Sequence, residues 1–300
     1  MEYRHLQAFL VLSEELHFGN AACRLNIAQP ALSQHIKALE QDIGLPLFVR
    51  DKRKVALTWE GEQLIGRAKI AVSQFSRFRE YANILKQGLQ GHLTLGYVGS
   101  SILEPSLAML INGYRQAWPT TEITIEEHNV DNQLTRLMDD RLDIALVRSP
   151  VPRYDELDYL NIVTRPLTAV LPANHPLAGH QHLCLSQLAD ETFLIQEDPP
   201  GIGLGWSVLS ACQRAGFTPR KIQVTRDVSV AMGLVAMGMG ITVVPETQRS
   251  VLLPDVGYCQ LIDEQATTTL MFAWQRRRYH RTLKNFVTYA RKVTEKGDIS

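Results

Sequence analysis

Hydrophobic positions in the first 45 residues recur at helical spacing in three short blocks. Leu6, Phe9, Leu10 and Leu16 mark a first helix over residues 4–16. Ala21, Ala22 and Leu25 form the apolar side of a second. Leu32, Ile36, Leu39 and Ile43 follow at intervals of four, three and four, and mark a third. Asn26 stands between the second and third, where a residue that tolerates a left-handed backbone suits a turn. Pro30 fits a first helical turn and Gly44 a helix end. Ala21 and Ala22 are small enough for two helices to cross closely, as a helix-turn-helix requires. The polar face of the third helix carries Gln29, Ser33, Gln34 and Lys37, side chains long enough to reach base edges and phosphates in a major groove. A solvated face on an ordinary helical pair would look the same, because such patterns are easily matched.

The period then changes. Residues 47–58 read as a hairpin with apolar arms, and its tip, Arg50 to Lys54, holds four cations in five residues. Beside a helix-turn-helix this looks like a wing, with Arg50, Lys52, Arg53 and Lys54 as candidates for DNA contact. Arg53 is the choice for a minor-groove or phosphate contact, since a guanidinium suits the negative potential of a narrow groove. From Thr58 a long helix is expected, with no proline before residue 88. Leu64, Ala68, Ala71, Phe75, Phe78, Ala82, Leu85 and Leu89 form a heptad seam along a rod on the order of 45 Å. Such a stripe needs a partner. The preceding head is too small to cover it, so a second copy of the chain is the better account than packing within one chain.

Gly88 and Gly91 mark a boundary, after which strands alternate with helices. Strands are expected at 93–98, 122–127, 143–147, 159–163, 167–171, 193–196, 222–225, 241–244 and 268–274. Helices are expected from Gly99-Ser-Ser101 through Trp118, after 127 to about Asp140, from the glycine-rich 199–205 loop to Ala215, from Ser229, and over 281–292. This alternation implies an open, mostly parallel sheet with helices on both faces. Two sheets are favoured over one, with crossings near 162–166 and 264–268. Ligands in such folds bind at the carboxyl ends of strands and between domains. Ser100, Ser101, Val130, Arg148, Gly201 and Gly203 fall just past strand ends. Arg148 reads as a counter-ion for a carboxylate or as part of an internal salt bridge. Ser100 and Ser101 would bond an anion or cap a helix.

Composition narrows the classes. Three hundred residues give room for two or three domains. No apolar run is long enough for a membrane span, and the N-terminus lacks a signal-peptide layout, so the cytoplasm is expected. The four cysteines are far apart, with no C-x-x-C pair, and buried free thiols are expected. Net charge is zero, but residues 1–90 hold 12 basic and 9 acidic side chains, against 19 and 22 in residues 91–300. That sign fits an N-terminal part facing phosphates. His175, His180, His182 and Cys184 are too tightly spaced for a usual metal site. Gly201–Gly205 lacks a nucleotide signature, and no catalytic constellation is present, so neither an enzyme nor a cofactor is expected.

With these residues in place, the chain resembles a LysR-type transcriptional regulator over essentially its full length. The N-terminal likeness rests on Leu6 and Phe9; Phe18, Ala21, Ala22 and Leu25; and Gln29-Pro30, Leu32-Ser33, Ile36 and Leu39-Glu40. It continues through Gly44, Leu47-Phe48, Arg50, Leu57-Thr58 and Gly61. The C-terminal likeness rests on Val98-Gly-Ser-Ser101, Leu142-Asp143, Pro172, His175-Pro-Leu177, and Gly233 to Gly240 leading to Pro245. It looks closest to the branch controlling aromatic-compound catabolism. The resemblance implies an α/β protein: a winged helix-turn-helix over 1–58, a dimerising linker helix over 59–90, and an effector domain over 91–300. That domain would be two-lobed and Rossmann-like, of periplasmic-binding-protein type, with lobe I from 91–163 and 268–300 and lobe II from 164–267. It implies contacts to a dyad-symmetric double-stranded DNA operator through Gln29, Pro30, Ser33, Gln34, Lys37 and Arg53. It implies an effector cleft lined by Ser100, Ser101, Val130, Arg148 and Gly203, and self-association to a homodimer and homotetramer. RNA polymerase is the further partner implied. The effector expected is a carboxylate or aromatic metabolite. Two departures stand out: Ala28 cannot cap the recognition helix where many members have Ser or Thr, and Val130 stands where many have Thr. The competing readings are an effector-independent architectural DNA protein and an α/β enzyme with a regulatory head.

Overall fold

The computed structural model describes residues 1–51, 54–86, 91–278 and 280–295, without the side chains of 50, 51, 54, 80, 81 and 83–86. The chain divides into two compact units, residues 1–88 and 89–300.

The first unit opens with α1 (Tyr3–Glu15), α2 (Phe18–Arg24) and α3 (Gln29–Ile43). His17 caps α2 through Nδ1, which accepts from the Asn20 N–H at 3.1 Å. Asn26 takes φ +53° and Gly44 φ +77°, so both turn positions are left-handed. Strands β1 (Phe48–Asp51) and β2 (Lys54–Leu57) pair antiparallel, and α4 runs over Trp59–Lys86. The Thr58 hydroxyl starts α4 by accepting the Gly61 N–H at 3.0 Å while donating to the Pro46 carbonyl at 2.7 Å. One core joins all these elements, with Phe9, Leu12, Leu32, Ile36, Leu39 and Leu47 at its centre and Ala68 of α4 at its edge.

The second unit has two hydrophobic clusters. The first gathers residues from 93–163 with 270–290. Its sheet runs in the order β4 (Thr121–Glu127), β3 (Gly91–Tyr97), β5 (Ile144–Arg148), β12 (Thr267–Gln275), β6 (Leu157–Pro172). Helices α5 (Pro105–Ala117), α6 (Val130–Met138) and α9 (Arg281–Glu295) complete this lobe. The second cluster uses residues 167–266. There β6 continues between β10 (Thr242–Pro245) and β11 (Val256–Leu261), and β11 pairs with the short β7 (His182–Leu183). A parallel pair, β8 (Thr192–Gln196) and β9 (Lys221–Thr225), lies with α7 (Gly203–Arg214) and α8 (Val228–Ala236).

Four expectations change. The sheet is mixed rather than mostly parallel, because β12 and β6 run against their neighbours where the chain crosses between lobes. The two strands expected at 159–163 and 167–171 are one strand; Arg165 and Pro166 stay in register with Thr268 and Thr267 at the crossing. Gly99–Ser101 is a separate turn of 3-10 helix, and α5 begins only at Pro105, capped by the Glu104 carboxylate. Of the cysteines, Cys212 and Cys259 are buried, but Cys184 is half-buried and Cys23 exposed. No helix among the described residues is long and apolar enough to cross a membrane.

Two glycines of α4 have opposite surroundings. A Cβ on Gly66 would meet nothing within 4 Å, whereas one on Gly61 would lie 2.4 Å from the Leu47 carbonyl oxygen. Gly66→Ala should stabilise the protein by about 1 kcal/mol through helix propensity. Gly61→Ala should destabilise it, since forcing atoms into packed backbone costs roughly 1–3 kcal/mol. Urea midpoints of the two variants, moving in opposite directions, check this.

Candidate DNA-reading face and effector cleft

Burial fixes the rotation of α3. Leu32, Ile36 and Leu39 are wholly enclosed, which turns Gln29, Pro30, Gln34 and Lys37 outward, with Ser33 half-buried on the same side. No side chain caps the helix at Ala28. The hairpin is tied to this helix by Glu40, whose Oε1 accepts from the Leu47 N–H at 2.9 Å and the Phe48 N–H at 3.2 Å. An acid in the last turn of a helix is disfavoured by the helix dipole, and that misfit is the signal for such an outside partner. Arg50 and Lys54 lie on the hairpin arms, but their side chains, together with Lys52 and Arg53, lie outside the described residues.

The seam of α4 splits in two. Leu64 and Ala68 pack into the head's own core beside Ile65 and Val72. Ala71, Phe75 and Phe78 are exposed, Phe78 at 71 %, and Ala82 is half-buried. Phe75 stacks on Tyr3 of α1 with ring centroids 4.3 Å apart. The Leu85 side chain and Leu89 lie outside the described residues.

Between the lobes is a cavity of about 880 Å³. Lobe I contributes Val98–Ser100 and the segment around Asn129, and lobe II contributes Gln196–Pro200 with Arg226 and Asp227. Glu127, Asp131, Glu197, Asp198 and Asp227 put five carboxylates on its wall against one guanidinium, Arg226. Among the described residues lining it there is no Phe, Tyr or Trp, and the one ring is the His128 imidazole.

The expected cleft residues divide. Ser100 lines the cavity. Ser101 is fully buried, its hydroxyl spent on the Val98 carbonyl at 2.7 Å. Val130 is 1 % exposed and packs in the lobe I core, because the first position of α6 points its aliphatic side chain inward. Its neighbour Asn129 faces the cavity instead, capping α6 by accepting from the Asn132 N–H at 2.9 Å. Gly201 and Gly203 take φ +79° and +75° and neither lines the cavity; the Gly203 N–H donates to the Pro150 carbonyl at 2.8 Å, joining α7 to lobe I.

Arg148 lies behind Ser100 and is 1 % exposed. Its Nε donates to Ser100 Oγ at 3.2 Å, Nη2 to the Ser100 carbonyl at 3.3 Å and Nη1 to Thr268 Oγ1 at 3.4 Å. No carboxylate among the described residues pairs with it directly; Glu104 is paired with Arg165 at 2.9 Å. Burial lowers its pKa to about 10, opposed by the more distant charges of Glu104 and Asp198, so it is a cation at neutral pH. Since Ser100 Oγ accepts from Arg148, its own proton is available to a group in the cavity. Two residues without a sequence signal complete the site. Gln248, 4 % exposed, donates from lobe II to the Ser100 carbonyl at 3.1 Å across 148 positions of chain. Asp198 accepts the Gly205 N–H at 2.9 Å at the start of α7.

Comparison with known proteins gives the family of the two units. Residues 3–62 match the bacterial regulatory helix-turn-helix protein, lysR family, and residues 86–295 match the LysR substrate binding domain. The chain is 32 % identical to the HTH-type transcriptional regulator AlsR of Bacillus subtilis, over 96 % of this chain and 94 % of that one. The crystal structure of CbnR, a LysR family transcriptional regulator, superposes with a TM-score of 0.79 over 98 % of this chain and 99 % of that one, at 22 % identity. The effector-binding domain of BenM with its effector benzoate superposes with a TM-score of 0.61 at 25 % identity, covering 71 % of this chain and 96 % of that one. A reading head, a long helix and a two-lobed ligand domain, matched along nearly the whole sequence, make the chain a member of the LysR family of DNA-binding transcriptional regulators.

Proposed function

We propose that this regulator reads a dyad-symmetric operator with two heads held by paired α4 helices, and that a small carboxylate in the interlobe cleft changes its effect on transcription. Residues 1–58 form the reader, 59–90 the pairing helix and 91–300 the responder. Gln29, Ser33, Gln34 and Lys37 address the major groove, with Pro30 beside the backbone. Arg50, Lys52, Arg53 and Lys54 of the wing address phosphates or the minor groove. The exposed Phe75 and Phe78 favour a second copy against the outer half of α4, and a homotetramer follows when effector domains pair as well. Transcription then answers through RNA polymerase at the adjoining promoter, in the cytoplasm.

The observation that carries the effector reading is Arg148. A cation shut away from water without a direct counter-ion is costly, and a ligand carboxylate reaching Ser100 supplies the missing charge. An aromatic acid such as the benzoate named for BenM is one such ligand. The acid group is the part this cleft recognises, since the described lining is mostly polar and its one ring is the His128 imidazole, held by Glu126.

Two outcomes follow. Lys37→Ala and Arg53→Ala should each weaken operator binding and lower the salt slope by about one phosphate equivalent. Footprinting upstream of the regulator's own or a neighbouring gene, repeated across salt concentrations, measures both, and an unchanged slope removes the residue from the interface. Ser100→Ala should leave operator affinity within about twofold while abolishing the thermal stabilisation given by a carboxylate effector, because a ligand that binds only the folded state must raise its melting temperature. A full ligand shift in that variant contradicts the assignment.

A further inference from the structure

A helix N-terminus attracts an anion, and at α7 the protein supplies its own. The loop Asp198–Gly203 curls so that the Asp198 carboxylate sits over the first amides of the helix, with Oδ2 2.9 Å from the Gly205 nitrogen. Gly203 makes the room. A Cβ there would lie 2.6 Å from the Asp198 carboxyl carbon, and its φ of +75° disfavours any side chain. The same carboxylate lines the effector cavity and feels the charge of Arg148. Burial nevertheless outweighs these favourable partners and pushes Asp198 up to about 6. Apart from Arg226, the other charged groups on the cavity wall are carboxylates. Glu197 precedes it, Asp227 lies beside Arg226 before α8, and Glu127 and Asp131 face from lobe I with His128, whose Nε2 is 2.9 Å from Glu126.

Arg148 and the start of α7 can hold one net negative charge, and two carboxylates brought together there would repel. We propose that Asp198 is the specificity-determining residue of the cleft: it occupies the anion position in the free protein, and a carboxylate effector binds only as Asp198 takes a proton from solvent. This rests on the carboxylate reading of the effector. It makes the cleft a proton-coupled acid receptor that discriminates against acids as pH rises. Above the pH at which Asp198 is ionised in the free protein, each unit of pH should weaken acid binding about tenfold, because each binding event then draws one proton from solution.

The test is calorimetric titration of the full-length protein with acetate and with benzoate between pH 6.5 and 8.5, where both probes are anions. Runs in phosphate and in Tris, which differ in ionisation enthalpy, count the protons. The wild type should take up close to one proton at pH 8, and its Kd should rise about tenfold per pH unit. Asp198→Asn keeps a side-chain oxygen for the Gly205 N–H; it should bind with no proton uptake, with a Kd flat in pH, and more tightly than wild type above pH 7. His128→Gln should keep the wild-type uptake.

A melting series reports on folding without any ligand. The raised carboxyl favours the folded state at low pH and loses that contribution as pH climbs from about 4 through about 6. Asp198→Asn should therefore match wild type near pH 4 and melt higher above pH 6. Acid binding without proton uptake, or uptake lost in His128→Gln and kept in Asp198→Asn, overturns the inference and leaves the carboxylate effector standing. Failure of both acids to bind either form at any pH overturns the carboxylate reading itself, and the inference with it.

Discussion

A guanidinium withdrawn from water must be surrounded by acceptors, and the cleft is arranged around that demand. Arg148 ends β5 inside the fold, and its three hydrogen bonds go to the turn after β3 and to the strand returning from lobe II. Ser100 therefore has its carbonyl and its hydroxyl oxygen both engaged from behind. Gln248 adds a second donor to that carbonyl from the other lobe. The residue that meets the cavity is thus positioned by a charge that does not, and by groups from both halves of the domain. None of these bonds is short, as fits a guanidinium shared among neutral acceptors instead of locked to one acid.

The reading head was the most legible part of the sequence. Helical periodicity placed Leu32, Ile36 and Leu39 inward, so the polar face of α3 followed from geometry alone. The hairpin was legible for the same reason, its apolar arms and charged tip being local signals. The α4 stripe was legible as a stripe but not as two. Nothing in its spacing tells that Leu64 and Ala68 are consumed by α1 while Phe75 and Phe78 remain outside.

Errors in the second unit come from contacts distant in sequence. Arg165-Pro166 reads as a break, yet the strand passes through it because antiparallel pairing with residues 267–268 holds the backbone extended. Strand β11 has no counterpart in the hydrophobic pattern. Its Val-Gly-Tyr-Cys-Gln-Leu run lacks clean alternation, and Gly257 is there because the Ala178 carbonyl comes within 3.0 Å of where a Cβ would stand. Val130 stands just past a strand end, which points it to the cleft, yet as the first residue of α6 it is buried in the lobe I core. Asp198 lies in a glycine- and proline-rich loop with no period to betray it, and the left-handed turns at Gly201 and Gly203 bring it back to the start of α7.

The unbroken course of β6 has a mechanical consequence. The lobes are joined by a strand that is hydrogen-bonded on both sides of the crossing and by its antiparallel neighbour β12. There is no slack tether about which one half could swivel. Relative displacement must come from coiling this two-stranded ribbon, which resists in proportion to the angle and springs back when released. Small, elastic adjustments of one lobe against the other are what such a joint permits, and not the swing of an unlatched gate.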